Sequence, residues 1–575
     1  MADSRDGSFP DSVTWGITCL LVLLTWVLLQ KLCFPRSPLA ALALMRRTRR
    51  IHTWAQGGIW HPLYCVICET LLIVGSSGIC CADCGIASCE KGQCVQRTEQ
   101  RFSCKARARK TGATPTAQDD PQGGVFRHHW VSGNLPLMSE CEVCDASCGG
   151  DGPESVIQDL RCCWCQLTVH KSCQQKMSNI CDLGHYREFI IPPECVILKN
   201  PKVAGSEFKR SSIKQIVRQI MGNTTHNRPW RPLIVVGNTK AGNNDGGFFL
   251  NAFRGVLNPI QVIDLNERPM EDAIHLCQLL EPTRCLIIVA GGDGTIGWTL
   301  NTIDKLGVEQ HPEIALLPLG TGNDLARTLG YGSGGEITDI SQLLDLLQTA
   351  NRLESIPLDR WRVTVRSDHP HYSFKRPLVP PRSITEIFVQ NYLSIGVDAL
   401  VTYNFHNARD SKSSSSHNNS PFSGRLYNKL LYFIYGTKDV LERECKDLDQ
   451  ILELEMDGQK VSLPKIESVV ILNIPCWGAG VRPWELGQGH EHFPVPSFSD
   501  HKLEVFCVYS SFHIAQMQVG ISEPHRIGQA SDVKIRLKGR APVQTDGEPW
   551  IQEPGEIHVQ YHSHVPVLKL SSLSN

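Results

Sequence analysis

CLIIVAGGDGTIGWTL, Cys285 to Leu300, is the stretch on which the reading of this 575-residue chain turns. Cys285 to Ala290 is a short continuous apolar run, as a buried parallel strand requires. Gly291, Gly292 and Gly294 then let the backbone turn tightly and approach a ligand, and Ile296 to Leu306 is compatible with a helix. The start of such a helix offers unpaired N–H groups and the positive end of its dipole, which suits a phosphate. Asp293 is the only charged group in the turn. An acid among phosphate-binding amides makes sense where a metal ion or a substrate hydroxyl is also held. Its structural alternative is an N-cap. The spacing fits neither GxGxxG nor GxxxxGKS/T, so neither common phosphate loop explains it.

On either side of this stretch, strands and helices alternate. Pro232–Val236 reads as a buried strand ending in the turn Gly237-Asn238-Thr239-Lys240-Ala241-Gly242. A helix over Asp245–Val256, a strand over Ile260–Leu265 and a helix over Glu271–Leu280 follow. After the central stretch come a strand over Ile314–Leu319 and a second glycine turn, Gly320-Thr321-Gly322-Asn323-Asp324. Such alternation predicts an α/β doubly wound parallel sheet, whose ligands sit at the carboxyl ends of the strands. Three polar loops then converge on one edge. Lys240 either offsets phosphate charge or lies on the surface of its turn; Asp324 either serves the site or caps the helix after it. Beyond Arg360 the chain is strand-rich (Trp361–Val365, Ile387–Ile395, Ile451–Met456, Val469–Ile474, Leu503–Tyr509, Val533–Leu537, Ile557–Tyr561), which predicts a β-sandwich-like second lobe over the nucleotide edge. Ser411–Ser420 is a low-complexity loop, and Arg425–Gly436 is an aromatic-rich amphipathic stretch, either a core helix or a wall of an acyl-chain pocket or a membrane-facing surface.

Most of the 24 cysteines fall between Cys65 and Cys181, at metal-ligand spacings that suit zinc in a reducing compartment. One run is His128-x12-Cys141-x2-Cys144-x17-Cys162-x2-Cys165-x4-His170-x2-Cys173-x7-Cys181. Eight ligands make two closed, structural tetrahedral sites. The pattern resembles the cysteine-rich finger first described in protein kinase C. That resemblance implies interleaved sites, His128/Cys162/Cys165/Cys181 and Cys141/Cys144/His170/Cys173, leaving Cys148 and Cys163 over. An earlier copy runs His52-x12-Cys65-x2-Cys68-x12-Cys81-x2-Cys84-x4-Cys89-x4-Cys94-x9-Cys104, with Cys89 where the family has histidine. Lipid-binding members carry Gln-Gly before the third cysteine; here Ser77-Gly78 stands in the first copy and no such pair in the second. A folding or docking role is therefore expected of the pair. The basic run Arg97–Lys110 reads as a solvated face, and Ser212–Met221 as a basic helix in a connector of no legible function.

Val13–Leu29 carries no charge and is about long enough to cross a bilayer, which takes ~20 residues. Its N-terminal flank is acidic, while Lys31, Arg36, Arg46, Arg47, Arg49 and Arg50 follow it, so the bulk of the chain is expected on the cytosolic side. Whether the segment crosses or dips in and returns stays open. A net charge of −1 argues against nucleic acid as the main partner.

GNTKAGNNDG, GGDGT and PLGTGNDLAR, in this order and spacing, resemble the diacylglycerol kinases. The resemblance continues through Asn391–Leu400, Phe405-His406, Gly424–Gly436 and Gln544–Trp550, and the module order is most similar to the epsilon type. It implies transfer of a phosphoryl group from ATP to diacylglycerol with Mg2+, structural Zn2+ and membrane lipids as partners, and a preference for polyunsaturated, arachidonoyl species. It implies a nucleotide site at Asn238, Lys240, Gly291, Gly292, Gly294, Thr295, Gly320, Thr321, Gly322 and Asn323. Catalysis then falls to Asp293, with Glu548 as general base and Asp546 as its support. The expected organisation is a multidomain chain: a membrane helix (1–34), a basic linker (35–51), fingers at 52–104 and 128–181 joined by a linker (105–127), a connector (182–228), a catalytic lobe (229–358) and a β-rich accessory lobe (359–575). The expected location is an anchor in the endoplasmic reticulum or plasma membrane with the catalytic part in the cytosol. A sphingoid-base or ceramide kinase, and a silent zinc-finger adaptor, are the alternatives.

Overall fold

Four strands carry the nucleotide loops: β1 (Leu233–Gly237), β2 (Val262–Asp264), β3 (Leu286–Gly291) and β4 (Glu313–Pro318). They are parallel in the order β2-β1-β3-β4. This order reverses direction between β1 and β3, the crevice where doubly wound sheets bind ligands. β3 is buried at every position, which is why its sequence is continuous rather than alternating. Helices α1 (Asp245–Val256), α2 (Met270–Leu280) and α3 (Asp293–Leu306) connect these strands, and α4 (Asp324–Thr328) follows β4. α3 starts at Asp293, earlier than the apolar pattern predicts, so most of GGDGT is first helical turn rather than loop. The computed structural model describes residues 52–56, 62–73, 78–90, 93–105, 126–149, 158–198, 213–216, 230–239, 241, 245–349, 353–368, 384–413, 445–487 and 493–571.

The sheet does not stop at β4. Ile314 of β4 pairs in parallel with Val567 of the long strand Gly555–Leu570, which also runs antiparallel to Leu353–Ser367. The result is a ten-stranded sheet shared by both lobes. A six-stranded antiparallel sheet faces its distal half, and Trp361, Val363, Leu393, Ile395, Val469, Val505 and Val533 fill the space between them. The β-rich second lobe is thus a sandwich, as the strand pattern predicts. The expected single strand Ile387–Ile395 is two, Ile384–Val389 and Tyr392–Gly396, broken at Gln390-Asn391.

Two further expectations change. Ile213–Ile216 is a strand paired with Val196–Leu198, where a helix over Ser212–Met221 was expected. Its isoleucines are three residues apart, a spacing that suits a helix face, and a register shift between Ile213 and Gln215 accompanies their pairing in the ribbon. The basic run Arg97–Lys110 is no uniform solvated face, because Lys105 is buried. Ser411–Ser413, expected to open a loop, are instead the end of the helix Val397–Ser413. Val13–Leu29, Lys240, Ser414–Ser420 and Arg425–Gly436 lie outside the described residues, and among the described residues no helix is long and apolar enough to cross a membrane.

Within the second lobe Glu504 is fully buried: one carboxylate oxygen accepts from the Gln529 amide at 3.0 Å and the other has no partner. Burial, helped by Asp500, pushes its pKa up to about 8. A raised folded-state value contributes stability that is complete below the unfolded value and lost as pH rises through about 8. Thermal unfolding from pH 6 to 9 should show the wild type losing stability against Glu504→Gln as pH rises to about 8 and levelling off above it. Parallel curves would show that Glu504 does not titrate there.

Candidate nucleotide and metal sites

The turn after β1 is held from β2. The Asn266 side-chain amide donates to Asn238 Oδ1 (2.7 Å) and Thr239 Oγ1 (2.8 Å), and Asp264 accepts from the Thr239 N–H (3.4 Å). α1 begins against this turn, its Gly247 N–H donating to the Thr239 carbonyl at 3.2 Å. A Cβ on Gly246 would lie 2.1 Å from the Asn238 carbonyl oxygen, so no side chain fits there.

The turns after β3 and β4 are packed backbone to backbone. The Leu319 N–H donates to the Gly291 carbonyl at 2.9 Å, and a Cβ on Gly320 would sit 2.6 Å from the Gly292 Cα. Glycine is required at both places by contact, not by a positive φ. Gly294 is exposed on the first turn of α3, Thr295 lies beneath Gly291, and Thr321 and Gly322 are half-buried across from them.

Asp293 is the first residue of α3 but does not cap it; Gly292 is the N-cap and has no side chain. Its carboxylate instead accepts the N–H groups of Asp324 (3.2 Å) and Leu325 (3.2 Å), the first turn of α4. The central loop thereby holds the β4 loop. Asp324 accepts in turn from the Ala479 N–H at 3.2 Å, reaching the second lobe, and its other oxygen is buried without a partner. The helix it was expected to cap has Asn323 at its N-cap in a left-handed conformation, with no side-chain cap bond. Burial raises the Asp293 pKa, against the N–H groups that lower it, and pushes Asp324 up to about 7 with Asp293 adding to the effect. Two carboxyl groups that cannot comfortably both be charged are suited to a shared divalent cation.

From the second lobe, Asp546 accepts three backbone N–H groups: Gln390 at 3.1 Å, Asn391 at 2.8 Å and Tyr392 at 2.9 Å. These belong to the break between the two strands of the lobe. Despite them, burial pushes Asp546 up to about 6, and Asp293 contributes. Asp546 is an anchor, not a free acid. It fixes the Asp546-Gly547 turn, both residues of positive φ, which aims Glu548 at the other lobe. A Cβ on Gly294 would be 3.6 Å from Glu548 Oε1. Asp293, Asp324, Asp546 and Glu548 therefore share one cleft. Around it, Oδ1 of Asn323 and of Asn391 and Oδ1 of Asp324 are buried without a hydrogen-bond partner. Oxygen acceptors of this kind fit a hard cation such as Mg2+.

Asn391 and the Gly478-Ala479-Gly480 loop are the parts that sequence reasoning missed. The polar pair Gln390-Asn391 inside an apolar strand, and the glycines on either side of Ala479, were the available signals.

The zinc ligands form four clusters. His52/Cys81/Cys84/Cys104, Cys65/Cys68/Cys89/Cys94, His128/Cys162/Cys165/Cys181 and Cys141/Cys144/His170/Cys173 each bring four ligand atoms within 4.8 Å of one another. Each thiolate or imidazole set suits tetrahedral zinc. Cys89 takes the histidine's place without disrupting its cluster. Of the cysteines left over, Cys163 directs its thiol at the Cys84 carbonyl (3.4 Å), between the fingers, and Cys148 lies beside Asp159 and His170.

Residues 232–354 match the diacylglycerol kinase catalytic domain and residues 388–549 the diacylglycerol kinase accessory domain, while residues 128–184 match the phorbol esters/diacylglycerol binding domain, or C1 domain. The chain belongs to the diacylglycerol kinase family. It is 29% identical to Probable diacylglycerol kinase 3 of Caenorhabditis elegans, over 90% of this chain and 64% of the relative. It is 29% identical to Diacylglycerol kinase 2 of Arabidopsis thaliana, over 86% and 78%, and 30% identical to human Diacylglycerol kinase iota, over 83% and 46%. The chain thus spans less than two thirds of the first and under half of the last. A solved diacylglycerol kinase from Bacillus anthracis shares 18% identity over 59% of this chain and 96% of that one, with a TM-score of 0.35. The domain matches and the sequence relatives identify the family; they do not distinguish the epsilon type within it.

Proposed function

We propose that the chain transfers the γ-phosphoryl group of ATP to the free hydroxyl of diacylglycerol, giving phosphatidate and ADP. The observation that carries this reading is the meeting of the two lobes at Gly294, where Glu548 faces the first turn of α3. The amides at Gly292 and Gly294 donate to phosphate oxygens, while the Thr295 N–H, bonded to the Gly292 carbonyl at 2.9 Å, holds the turn; Thr321, Gly322 and Asn323 border the nucleotide opposite. Asp293 and Asp324 would hold Mg2+, which would offset phosphate charge. Glu548 accepts the proton of the lipid hydroxyl as its oxygen attacks phosphorus, and the β-phosphate oxygen leaves with the electron pair of the broken bond. Asp546 positions Glu548.

On the same reading the protein works at a membrane surface, anchored through Val13–Leu29 with its catalytic part in the cytosol, and is of the epsilon type with a preference for arachidonoyl diacylglycerol. The charge asymmetry around that segment and the order of modules support this. The match of the second finger to a diacylglycerol-binding domain makes the lipid a possible ligand of that finger as well as the substrate. Labelled phosphate transfer from ATP to diacylglycerol, sphingosine and ceramide in mixed micelles tests the proposal. Phosphorylation of diacylglycerol with polyunsaturated chains above the other acceptors is expected; transfer to sphingosine or ceramide alone, or none at all, overturns it.

A further inference from the structure

Lys105 follows the last ligand of the first finger and is buried at 2% exposure. Its ammonium donates to three backbone carbonyls: Cys163 in the second finger at 3.2 Å, and Arg254 and Gly255 in the last turn of α1 at 3.0 and 2.7 Å. It also lies 4.6 Å from the centre of the Trp164 ring. One cation therefore ties together both fingers and the nucleotide lobe. The last carbonyls of a helix have no partner within the helix and carry the negative end of its dipole, so a desolvated cation there is strongly held. The fingers are themselves joined. Asn134 of the second exchanges two hydrogen bonds with the Tyr64 backbone of the first, at 2.7 and 2.9 Å, and the His129 ring contacts the Ser103 carbonyl at 3.2 Å.

The other end of α1 is the nucleotide turn. Gly247 is bonded to Thr239, and Gly246 abuts the Asn238 carbonyl without room for a methyl group. A helix of this length is a stiff rod of roughly 18 Å. Displacing its C-terminus displaces the turn at its start. We infer that Lys105 is a positioning residue for the nucleotide site: it clamps the zinc-finger pair onto the end of α1 and so fixes the Asn238-Thr239 turn at the opposite end of the helix. The fingers then serve as an intramolecular brace for ATP binding.

This inference rests on the nucleotide reading of the β1 turn, so binding is measured beside turnover. Full-length wild type, Lys105→Gln and Lys105→Arg are compared for ATP KM and kcat, for equilibrium binding of a fluorescent ATP analogue, and for hydrogen exchange over residues 245–256. Lys105→Gln should remain folded, raise KM and the analogue's Kd by about tenfold with kcat within about twofold, and exchange faster over α1. Lys105→Arg, which keeps the charge and donors, should recover part of the loss. Folded variants with unchanged affinity and exchange overturn the inference. So does a result in which neither variant folds, since Lys105 is then structural only. A wild type that binds the analogue but phosphorylates no lipid refutes the lipid-kinase reading and leaves the brace to be judged on affinity and exchange.

Discussion

Asp293→Asn should lower phosphate transfer by about 1,000-fold, the scale seen when a preorganised electrostatic group is removed from a transfer site. Its carboxylate has two duties in this fold. It receives the N–H groups of Asp324 and Leu325, and it shares with Asp324 the charge that would hold Mg2+. An amide oxygen keeps one of the backbone bonds but loses the charge. ATP·Mg2+ affinity should therefore fall together with turnover. Glu548→Gln should behave differently: turnover falls by ~100-fold or more, as for a lost general base, while ATP·Mg2+ affinity stays near that of the wild type. Calorimetric titration of nucleotide beside the lipid assay separates the two. Loss of ATP·Mg2+ binding only in Glu548→Gln would overturn the division of labour.

Cys162→Ser is the second large effect. Structural zinc contributes ~10–16 kcal/mol in small finger peptides, and Cys162 is one of four ligands in a buried cluster. That cluster is continuous with the nucleotide lobe. Cys162, Trp164, Cys181, Leu183, Phe189 and Ile190 belong to the same apolar core as Leu233, Phe253 and Val289. Gln261 of the lobe donates to the Phe189 carbonyl at 2.7 Å, and the Ile191 N–H donates back to it at 2.8 Å. Losing this zinc should lower the unfolding temperature of the nucleotide lobe itself. Cys144→Ser, in the exposed cluster of the same finger, should release metal with a much smaller shift. Zinc content and scanning fluorimetry check both; a lobe transition unmoved in Cys162→Ser would refute the shared core as a stabilising unit.

The parallel sheet was legible because β1, β3 and β4 are buried on both faces and so spell continuous apolar runs between glycine turns. The zinc clusters were legible because ligand spacing is a direct record of geometry. Asp293 and Glu548 stood out as acids in glycine-rich turns. What was not legible is where each acid points. Asp293 looks like a cap for its own helix and instead holds the neighbouring one, because α3 and α4 start side by side. Asp324 looks like a cap and reaches Ala479, far off in sequence. Asp546 looks like catalytic support through charge and acts by gathering three amides of a broken strand. Lys105 was invisible for a related reason: in a run of basic residues, only the packing of three modules singles out the buried one.

The strand Gly555–Leu570 has a consequence for how the molecule can be taken apart. It supplies the outer neighbour of β4 and the full-length partner of Leu353–Ser367. These pairings join segments far apart in sequence, so the chain must close a long loop before the parallel sheet is finished. Until then β4 presents an open edge, the kind of surface that pairs with other chains. The point between the catalytic and accessory matches looks like a place to cut, yet a fragment ending there leaves β4 unpaired along that side. The two lobes are one folding unit with two names.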